Sequence, residues 1–256
     1  MRVTTLSEVR RESASASTLR LDLGGVPLDY RPGQYVTISP HQFESLGPAI
    51  REREAARGKK EGPGYFSLSS DALDPSAVEI TVKARSSAAA LLPHFLANEA
   101  RAGLRIELAG PDGRYALPAA PPEGVAGILH LCAGSGVAPN RGMIRHALAR
   151  GWPQRHLLVL QERAEEEVLF RSEWRDLLAR HGDLFRMRTL LSSRSEYADP
   201  AIVREAMAGF IEAPSSMAFV CGPNAPRNGN SGFLDSWKRA LHDALGFAAP
   251  RIVTEG

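Results

Sequence analysis

Residues 128–254 alternate short apolar runs with amphipathic helical segments, and this pattern limits the fold more than any other feature of the chain. Four apolar runs are each followed by a helical segment and a fifth closes the series, at 128–132, 156–160, 185–191, 217–221 and 252–254. Strands that are apolar along their whole length are buried on both faces, as in a parallel sheet covered by helices. The sequence therefore predicts a parallel-sheet domain over residues 121–256.

Residues 1–120 have a different rhythm, of short strands separated by turns. Apolar and polar residues alternate most clearly in Val78-Glu79-Ile80-Thr81-Val82-Lys83, and Pro111-Asp112-Gly113 is a strong turn signal. The last predicted strand of this half is 114–117, and one helix is predicted over 88–99. Many short strands with a single helix are typical of a small antiparallel barrel. The predicted fold is thus a β barrel plus α/β, with a six-stranded antiparallel barrel preceding the parallel-sheet domain.

A linker and an insertion complete the predicted organisation. The segment Pro118-Ala119-Ala120-Pro121-Pro122 has the composition of a linker and marks the boundary between the two predicted domains, 1–120 and 121–256. Within the first domain, residues 42–64 form a charged insertion between two predicted strands. A charge run of this kind is more typical of a solvated helical excursion than of an RNA-binding arm.

Composition excludes several classes of function. The formal net charge of +2 is spread over both halves, so neither half is the basic surface that a nucleic acid needs. Apolar runs are too short to span a bilayer and the first residues lack the apolar core of a signal peptide, which predicts a cytoplasmic location without a membrane partner. The two cysteines, Cys132 and Cys221, lack metal-ligand spacing, so no metal is expected. Any redox chemistry would use an organic cofactor.

The loop Gly134-Ser135-Gly136-Val137-Ala138-Pro139 lies between an apolar strand and a predicted helix. Glycines let backbone amides approach a pyrophosphate, and a helix N-terminus favours negative charge. Pro139 suits a first helical turn, where its missing donor costs nothing. The loop predicts nucleotide binding, against the alternative of a plain strand-to-helix turn. A Rossmann dehydrogenase is disfavoured, because the last glycine of that fingerprint is absent and the barrel-like half offers no acid–base pair.

Five motifs in order resemble those of the ferredoxin–NADP reductase family, and the likeness covers nearly the whole chain. They are Arg31-Pro32-Gly33-Gln34-Tyr35-Val36, Phe66-Ser67-Leu68-Ser69-Ser70, Gly110-Pro111-Asp112-Gly113-Arg114-Tyr115, Gly134–Pro139 and Val220-Cys221-Gly222-Pro223. The resemblance implies a flavin-binding barrel followed by a nicotinamide-nucleotide domain, and it implies the cofactors FAD and NADP, with NAD second.

The resemblance also implies the site residues. The implied FAD contacts are Tyr65, Phe66, Ser67, Leu68, Ser69, Val82, Lys83 and Arg85. The implied NAD(P) contacts are Gly134, Ser135, Gly136, Val137, Pro139, Arg163, Arg194, Cys221, Gly222 and Pro223. Phe66 is expected to face the flavin ring. The two implied catalytic residues are Ser67, bonded near the reactive edge of the flavin, and Cys221, a packing or hydride-path residue rather than a covalent nucleophile.

Arginines in two loops are the candidates for recognising the 2′-phosphate of NADP. Arg163 follows the second predicted strand of the parallel sheet and Arg194 follows the third, where Ser193-Arg194 resembles the family pair that holds this phosphate. The acidic residues nearby, Glu162 among them, would oppose a phosphate. NADP is therefore expected ahead of NAD.

Four positions depart from the family pattern. Gly64 stands where the family has an arginine for the flavin pyrophosphate, Phe66 replaces a tyrosine, and Pro93 takes the place of a serine. Glu255 is followed by glycine, where many relatives have a glutamate and then an aromatic residue that covers the flavin. The resemblance implies an enzyme that passes electrons from NAD(P)H through FAD to a separate protein acceptor, such as a ferredoxin or an oxygenase component. The alternative is a non-catalytic or regulatory subunit with weak or lost FAD binding.

Overall fold

The computed structural model describes residues 1–84, 90–194, 198–223 and 232–255. Its first sheet has six strands, all paired antiparallel, in the order β4-β3-β6-β1-β2-β5. These strands are β1 (Arg2–Ser13), β2 (Ala16–Asp22), β3 (Tyr35–Ile38), β4 (Gly64–Ser67), β5 (Ala77–Lys83) and β6 (Arg105–Asp112). The predicted six-stranded antiparallel barrel is confirmed.

The two outer strands of this sheet meet just beyond β4 and close the barrel. Leu68 forms an antiparallel bridge with Ile80 of β5, and the amide of Ser69 donates to the carbonyl of Glu79 over 2.8 Å. Closure leaves no long exposed edge for pairing with other chains. It also fixes the backbone that follows Ser67, which is one of the implied catalytic residues.

The insertion 42–64 is helical, as the sequence predicts, and it also supplies part of the barrel core. Its main element is α1 (Gly47–Arg57). Phe43, Leu46 and Ile50 are buried against the barrel strands, and the ring of Phe43 lies 4.8 Å from that of Phe95. Phe95 belongs to α2 (Leu91–Asn98), which corresponds to the predicted helix 88–99, although residues 85–89 lie outside the described chain. Apolar side chains thus attach the insertion 42–64 to the barrel, although its charged composition indicates a solvent-exposed segment.

The second sheet has five parallel strands in the order β11-β10-β7-β8-β9. The strands are β7 (Gly127–Ala133), β8 (Arg155–Glu162), β9 (Phe185–Leu191), β10 (Ser216–Cys221) and β11 (Ile252–Thr254), and the helices are α3 (Val137–Ala149), α4 (Arg171–His181), α5 (Pro200–Met207) and α6 (Phe233–Asp243). Buried clusters lie on both faces of this sheet, because its inner strands β10, β7 and β8 are apolar and buried at most positions. The predicted parallel-sheet architecture is confirmed. No helix in the four described ranges is long and apolar enough to cross a membrane.

The strand predicted at 114–117 is wrong. The sixth strand runs on to Asp112, and residues 113–126 contain neither strand nor helix. Tyr115 and Leu117 are instead buried against Ile128 and Phe219 of the parallel sheet, and the Leu117 amide donates to the carbonyl of Pro32 over 3.0 Å. Their spacing of two residues resembles a strand, but it reflects two side chains packed against the neighbouring sheet.

Candidate functional site

The nucleotide loop lies where the parallel sheet reverses its strand order. From β7 the chain continues to β8 on one side, whereas β10 pairs with β7 on the other side. Ligands of open α/β sheets bind at such a switch point, outside the carboxyl ends of the strands. After Ala133 the loop forms one 3₁₀ turn, Gly134–Gly136, and α3 begins at Val137. The loop and the N-terminal end of α3, where the helix dipole favours negative charge, therefore lie at this switch point.

The loop is tight on its inner side and open on its outer side. A Cβ atom at Gly136 would lie 2.6 Å from the carbonyl carbon of Cys221, 2.9 Å from its Sγ and closer still to its carbonyl oxygen. Gly134 has a φ of +58°, and no described atom lies within 4 Å of where its Cβ would be. Only glycine lets the loop pass this close to β10, while the open side leaves its amides accessible. This cradle fits the phosphates of a dinucleotide.

A contact between the two sheets lies beside the loop. The Ser67 hydroxyl donates to Oε1 of Glu255 over 2.6 Å, and the Cys221 thiol donates to Oε2 of the same carboxylate. The Glu255 amide donates to the carbonyl of Val220 over 3.1 Å, which continues the register of β11 beside β10. The structure thus brings the two implied catalytic residues together, through a glutamate outside the implied catalytic set.

The chemical state of Cys221 follows from its burial. Burial raises the pKa of this thiol well above its ordinary value, and the nearby Glu255 raises it further. The thiol is therefore protonated at neutral pH. It is a hydrogen-bond donor and a packing group here, rather than a nucleophile, because nucleophilic cysteines need the thiolate form.

An aromatic pair, Tyr65 of β4 and Tyr35 of β3, lies on the sheet face that also carries Ser67. Tyr65 is 66% exposed, and its ring lies 5.4 Å from that of Tyr35 at an interplanar angle of 78°. Side chains alternate along a strand, so Tyr65 and Ser67 share a face. An open aromatic surface, a serine hydroxyl and a carboxylate fit the ring system of a flavin, which offers a flat face together with hydrogen-bonding edges.

The opposite face of β4 is closed. Phe66 is only 7% exposed and belongs to the barrel core. A Cβ atom at Gly64 would lie 2.7 Å from the Phe66 ring and 2.9 Å from Leu92 of α2. Apolar atoms therefore fill the position where the family carries its arginine. The structure places Tyr65, rather than Phe66, at the open side of the strand.

The other implied FAD residues lie away from this open face. Leu68 and Val82 are in the barrel core. The hydroxyl of Ser69 accepts from Thr81 over 2.9 Å. Lys83 forms ion pairs with Glu162 at the end of β8, over 3.3 Å, and with Glu167 in the 3₁₀ turn after β8, over 3.0 Å. Arg85 lies outside the described residues.

The implied NAD(P) residues around the loop are brought together. Ser135 is exposed at the tip of the loop, and Val137 and Pro139 are buried in the first turn of α3. A Cβ atom at Gly222 would lie 2.7 Å from the ring of Phe233, and the amide of Phe233 donates to the carbonyl of Pro223 over 3.2 Å. The exit of β10 is therefore packed directly on the start of α6.

The two candidate arginines follow neighbouring strands. Arg163 and Arg194 are both exposed, and the amide of Ser193 donates to the carbonyl of Arg163 over 2.9 Å. Glu162 is buried beside Lys83, and its pKa is raised by burial, an effect that Lys83 partly offsets. Because Glu162 is paired with Lys83, its negative charge opposes a phosphate at the two arginines less than an unpaired carboxylate would. Two guanidinium groups at adjoining strand ends are suited to a phosphate.

A buried chain of hydrogen bonds holds the end of the nucleotide loop, and the sequence analysis did not identify it. The Asn140 amide nitrogen donates to the carbonyl of Gly136 and to the hydroxyl of Tyr115, both over 2.9 Å. The Asn140 oxygen lies 2.8 Å from Nδ1 of His130, whose Nε2 lies 3.0 Å from Nδ1 of His156. Because an amide oxygen only accepts, both histidines carry their proton on Nδ1. The sequence offers two signals of this hydrogen-bond chain: His130 is a polar residue inside an apolar strand, and Asn140 is a polar residue directly after Pro139.

Burial keeps both of these histidines neutral. It lowers the pKa of His130 to about 4, against a smaller opposing effect of its hydrogen bond to Asn140. It lowers the pKa of His156 well below its ordinary value, and His130 contributes in the same direction. The hydrogen-bond chain that supports the loop is therefore intact at neutral pH.

Comparison with known proteins agrees with this geometry. Residues 131–226 match the family model of the oxidoreductase NAD-binding domain. The chain is 29% identical over 196 residues to the ferredoxin reductase component of a 3-ketosteroid-9-alpha-monooxygenase from Mycobacterium tuberculosis, a match that covers 77% of this chain and 48% of the relative. It is 30% identical over 130 residues to ferredoxin–NADP reductase B of Sorangium cellulosum, with 47% and 51% covered.

A solved structure extends the likeness to the whole fold. The cytochrome P450 reductase GcoB of Amycolatopsis superposes with a TM-score of 0.77 at 22% identity, over 99% of this chain and 69% of that one. At this identity the likeness shows the fold alone. The fold is thus a two-sheet architecture whose second half matches an oxidoreductase NAD-binding domain. In its relatives and its fold, the chain is similar to ferredoxin–NADP reductase-like proteins.

Proposed function

We propose that this protein is an oxidoreductase that passes electrons from NADPH, through bound FAD, to a separate one-electron protein acceptor. The observation that carries the proposal is the contact of Ser67 and Cys221 with the one carboxylate of Glu255. It joins the open aromatic face of β4 to the nucleotide loop, so that two cofactors held by the two sheets would meet at these three side chains. The predicted cytoplasmic location remains a prediction.

Bound FAD would supply the chemistry, because a flavin accepts a hydride and releases electrons one at a time. The residues of the chain would bind the two cofactors and orient them relative to each other. The loop 134–136 and the start of α3 hold the nucleotide phosphates, and Tyr65 and Ser67 hold the face and edge of the flavin ring. Glu255 fixes the Ser67 hydroxyl and the neutral Cys221 thiol relative to each other. That thiol fills space beside the nicotinamide and keeps water away from the reacting atoms.

The preference for NADPH over NADH rests on Arg163 and Arg194. Their loops adjoin through the Ser193–Arg163 backbone bond, and both side chains are exposed at the end of the sheet where the nucleotide loop lies. A 2′-phosphate would receive charge-assisted hydrogen bonds there, which are roughly twice as strong as neutral ones.

A ferredoxin or an oxygenase component is the proposed acceptor. The similar proteins named above include a ferredoxin reductase component of a monooxygenase and a ferredoxin–NADP reductase. The chain spans about half the length of these curated relatives. We also propose the domain division 1–120 and 121–256, because residues 113–126 carry no regular element between the two sheets.

Purification with added FAD tests the proposal. We expect a yellow protein whose flavin absorbance is bleached by NADPH in the absence of oxygen, and bleached less efficiently by NADH. Reoxidation by a ferredoxin should then occur in one-electron steps. A colourless protein that takes up neither FAD nor a flavin analogue would contradict the proposal.

The second candidate function is a regulatory or non-catalytic subunit with weak or lost FAD binding. It is favoured by Gly64, where Phe66 and Leu92 occupy the space of the family's pyrophosphate-binding arginine. The helix α2 that follows also begins without a side-chain cap at Ala90. This candidate predicts binding of NADPH without flavin, which calorimetry with each nucleotide alone would reveal.

A further inference from the structure

Arg141 is an almost fully buried arginine on α3, the helix that begins at the nucleotide loop. Its side chain is 2% exposed and packs over the ring of Phe170, with 4.6 Å from the guanidinium carbon to the ring centroid. Fully buried arginines are rare unless paired. Nothing in the proposed chemistry uses this residue directly, so its burial calls for another role.

All three nitrogens of the Arg141 guanidinium donate hydrogen bonds. Nη1 donates to the Glu79 carboxylate over 2.6 Å and to the carbonyl of Ser69 over 3.0 Å. Nε and Nη2 donate to the Glu173 carboxylate over 2.9 Å and 2.6 Å. Glu173 lies on α4, in the same half of the molecule as Arg141. Glu79 and Ser69 belong to the barrel, so the Nη1 side of the guanidinium links the two halves.

The backbones also approach closely at this point. A Cβ atom at Gly142 would overlap the carbonyl oxygen of Ser70 and would lie 3.4 Å from that of Leu68. The helix therefore lies directly on the segment 68–70, which continues from Ser67. α3 thus begins at the nucleotide loop and, little more than one turn later, contacts the segment that follows β4.

The ion pairs around Arg141 are ionised in the folded protein. Burial would lower the pKa of Arg141, but Glu173 and Glu79 raise it above its ordinary value. Burial would raise the pKa of Glu79, but Arg141 and Arg10 lower it. Buried ion pairs add little net stability, because desolvation offsets their attraction, while their geometry is strict. Orientation is therefore a better account of this arginine than stability.

Among the described residues, three other ion pairs cross between the halves, and their cations are more exposed than Arg141. Arg145 lies 2.8 Å from Asp71, with its side chain 33% exposed, and Lys83 reaches Glu162 and Glu167 with its side chain 25% exposed. Water screens such pairs and weakens their hold on geometry. Arg141 is the buried link among them.

We propose that Arg141, through Glu79 and the Ser69 carbonyl, is a positioning residue that sets the nucleotide loop relative to Ser67. The proposal rests on the proposed function, since it is the distance between nicotinamide and flavin that this link would hold. Reacting atoms must approach to about 3–3.5 Å, and an error of about 1 Å can cost about 100-fold in rate. A link two residues from Ser67 on one side and seven from Gly134 on the other controls that distance directly.

Three single variants distinguish a role of Arg141 in positioning the nucleotide loop from a role in the stability of the fold alone. Glu79→Gln weakens the link across the halves, whereas Glu173→Gln weakens a bond of the same guanidinium within one half and is the matched control. Gly142→Ala adds a methyl group against Ser70 without changing any charge. In an unconstrained helix the last change would stabilise, because alanine is the better helix former.

Two measurements are made on each variant. Anaerobic stopped-flow mixing with NADPH gives the limiting rate of flavin bleaching and the apparent nucleotide affinity. Double electron–electron resonance between spin labels on Val26→Cys and Leu178→Cys gives the distance distribution between the halves, with or without flavin. Both label positions are exposed, and the native cysteines are buried.

Glu79→Gln and Gly142→Ala should lower the limiting rate between about 10-fold and about 100-fold, with the apparent affinity within about threefold and a shifted or broadened distance distribution. Glu173→Gln should keep both readouts at wild-type values. Wild-type rates and distances in the first two variants, or an equal loss in Glu173→Gln, would overturn the positioning role. If NADPH does not bleach a flavin in the wild-type protein, the proposed function is wrong. The distance distributions alone then decide whether Arg141 fixes the two halves relative to each other.

Discussion

Substitution of Gly136 by alanine should separate the nucleotide loop from β10. The added Cβ would lie 2.6 Å from the carbonyl carbon of Cys221, whereas ordinary contacts begin at 3.4 Å. The neighbour is backbone in a central strand, so it cannot rotate away, and the loop must move by about 1 Å. Overpacking of this kind costs about 1–3 kcal/mol of stability, and a displacement of that size can cost about 100-fold in the rate of hydride transfer.

The matched control is Gly62→Ala, because no described atom lies within 4 Å of that position. Thermal unfolding gives the stability of both variants, and titration with NADPH together with stopped-flow bleaching gives nucleotide affinity and hydride-transfer rate. We expect Gly136→Ala to lose stability, affinity and rate, and Gly62→Ala to match the wild type. Wild-type affinity and rate in Gly136→Ala would refute the close approach of loop and strand on which the site depends.

Three further predictions follow from the site. Glu255→Gln should slow flavin bleaching by about tenfold or more, since a hydrogen bond to a charged group contributes about 1.5–3 kcal/mol, and an unchanged rate would remove Glu255 from the site. Arg194→Ala should raise the KM for NADPH by about tenfold while leaving that for NADH unchanged, and equal losses with both nucleotides would contradict its role. The pKa of His130 is lowered to about 4 in the folded state. As the pH falls below about 6.5, this residue therefore becomes protonated in the unfolded chain but stays neutral in the folded protein. Stability should therefore fall by about 2 kcal/mol between pH 7 and pH 5 from this residue, as measured by urea unfolding at each pH. His130→Gln should remove this share of the loss and leave the share that the buried His156 contributes, with His181→Gln as the control.

The sheets could be predicted from the sequence because each leaves a local pattern. The predominantly apolar runs at 128–132 and 217–221 became inner parallel strands, and the glycine loop became the turn into α3. The segment 114–117 misled because two large apolar side chains spaced two residues apart, Tyr115 and Leu117, resemble one face of a strand. Their partners lie in the other sheet, which no local pattern records.

The parts of the site that escaped prediction depend on contacts between distant residues. Ser67 and Glu255 are joined across 188 positions, and Arg141 meets Glu79 across 62. A single arginine or glutamate in a sequence is most often a surface charge, so neither residue carries a local signal of its role. The structure also exposes Tyr65 and buries Phe66, a choice that the alternation of β4 fixes only once the barrel interior is known.

The contact of Ser67, Glu255 and Cys221 is the centre of the account, and deuterium transfer tests it most directly. NADPH deuterated at the transferring position of its nicotinamide is mixed without oxygen with the flavin-loaded protein, and the bleaching rate is compared with that of unlabelled NADPH. We predict a primary isotope effect on flavin bleaching in the wild type and a much slower limiting rate in Ser67→Ala. Bleaching by NADPH that shows no isotope effect and proceeds at the same rate in Ser67→Ala would contradict this prediction.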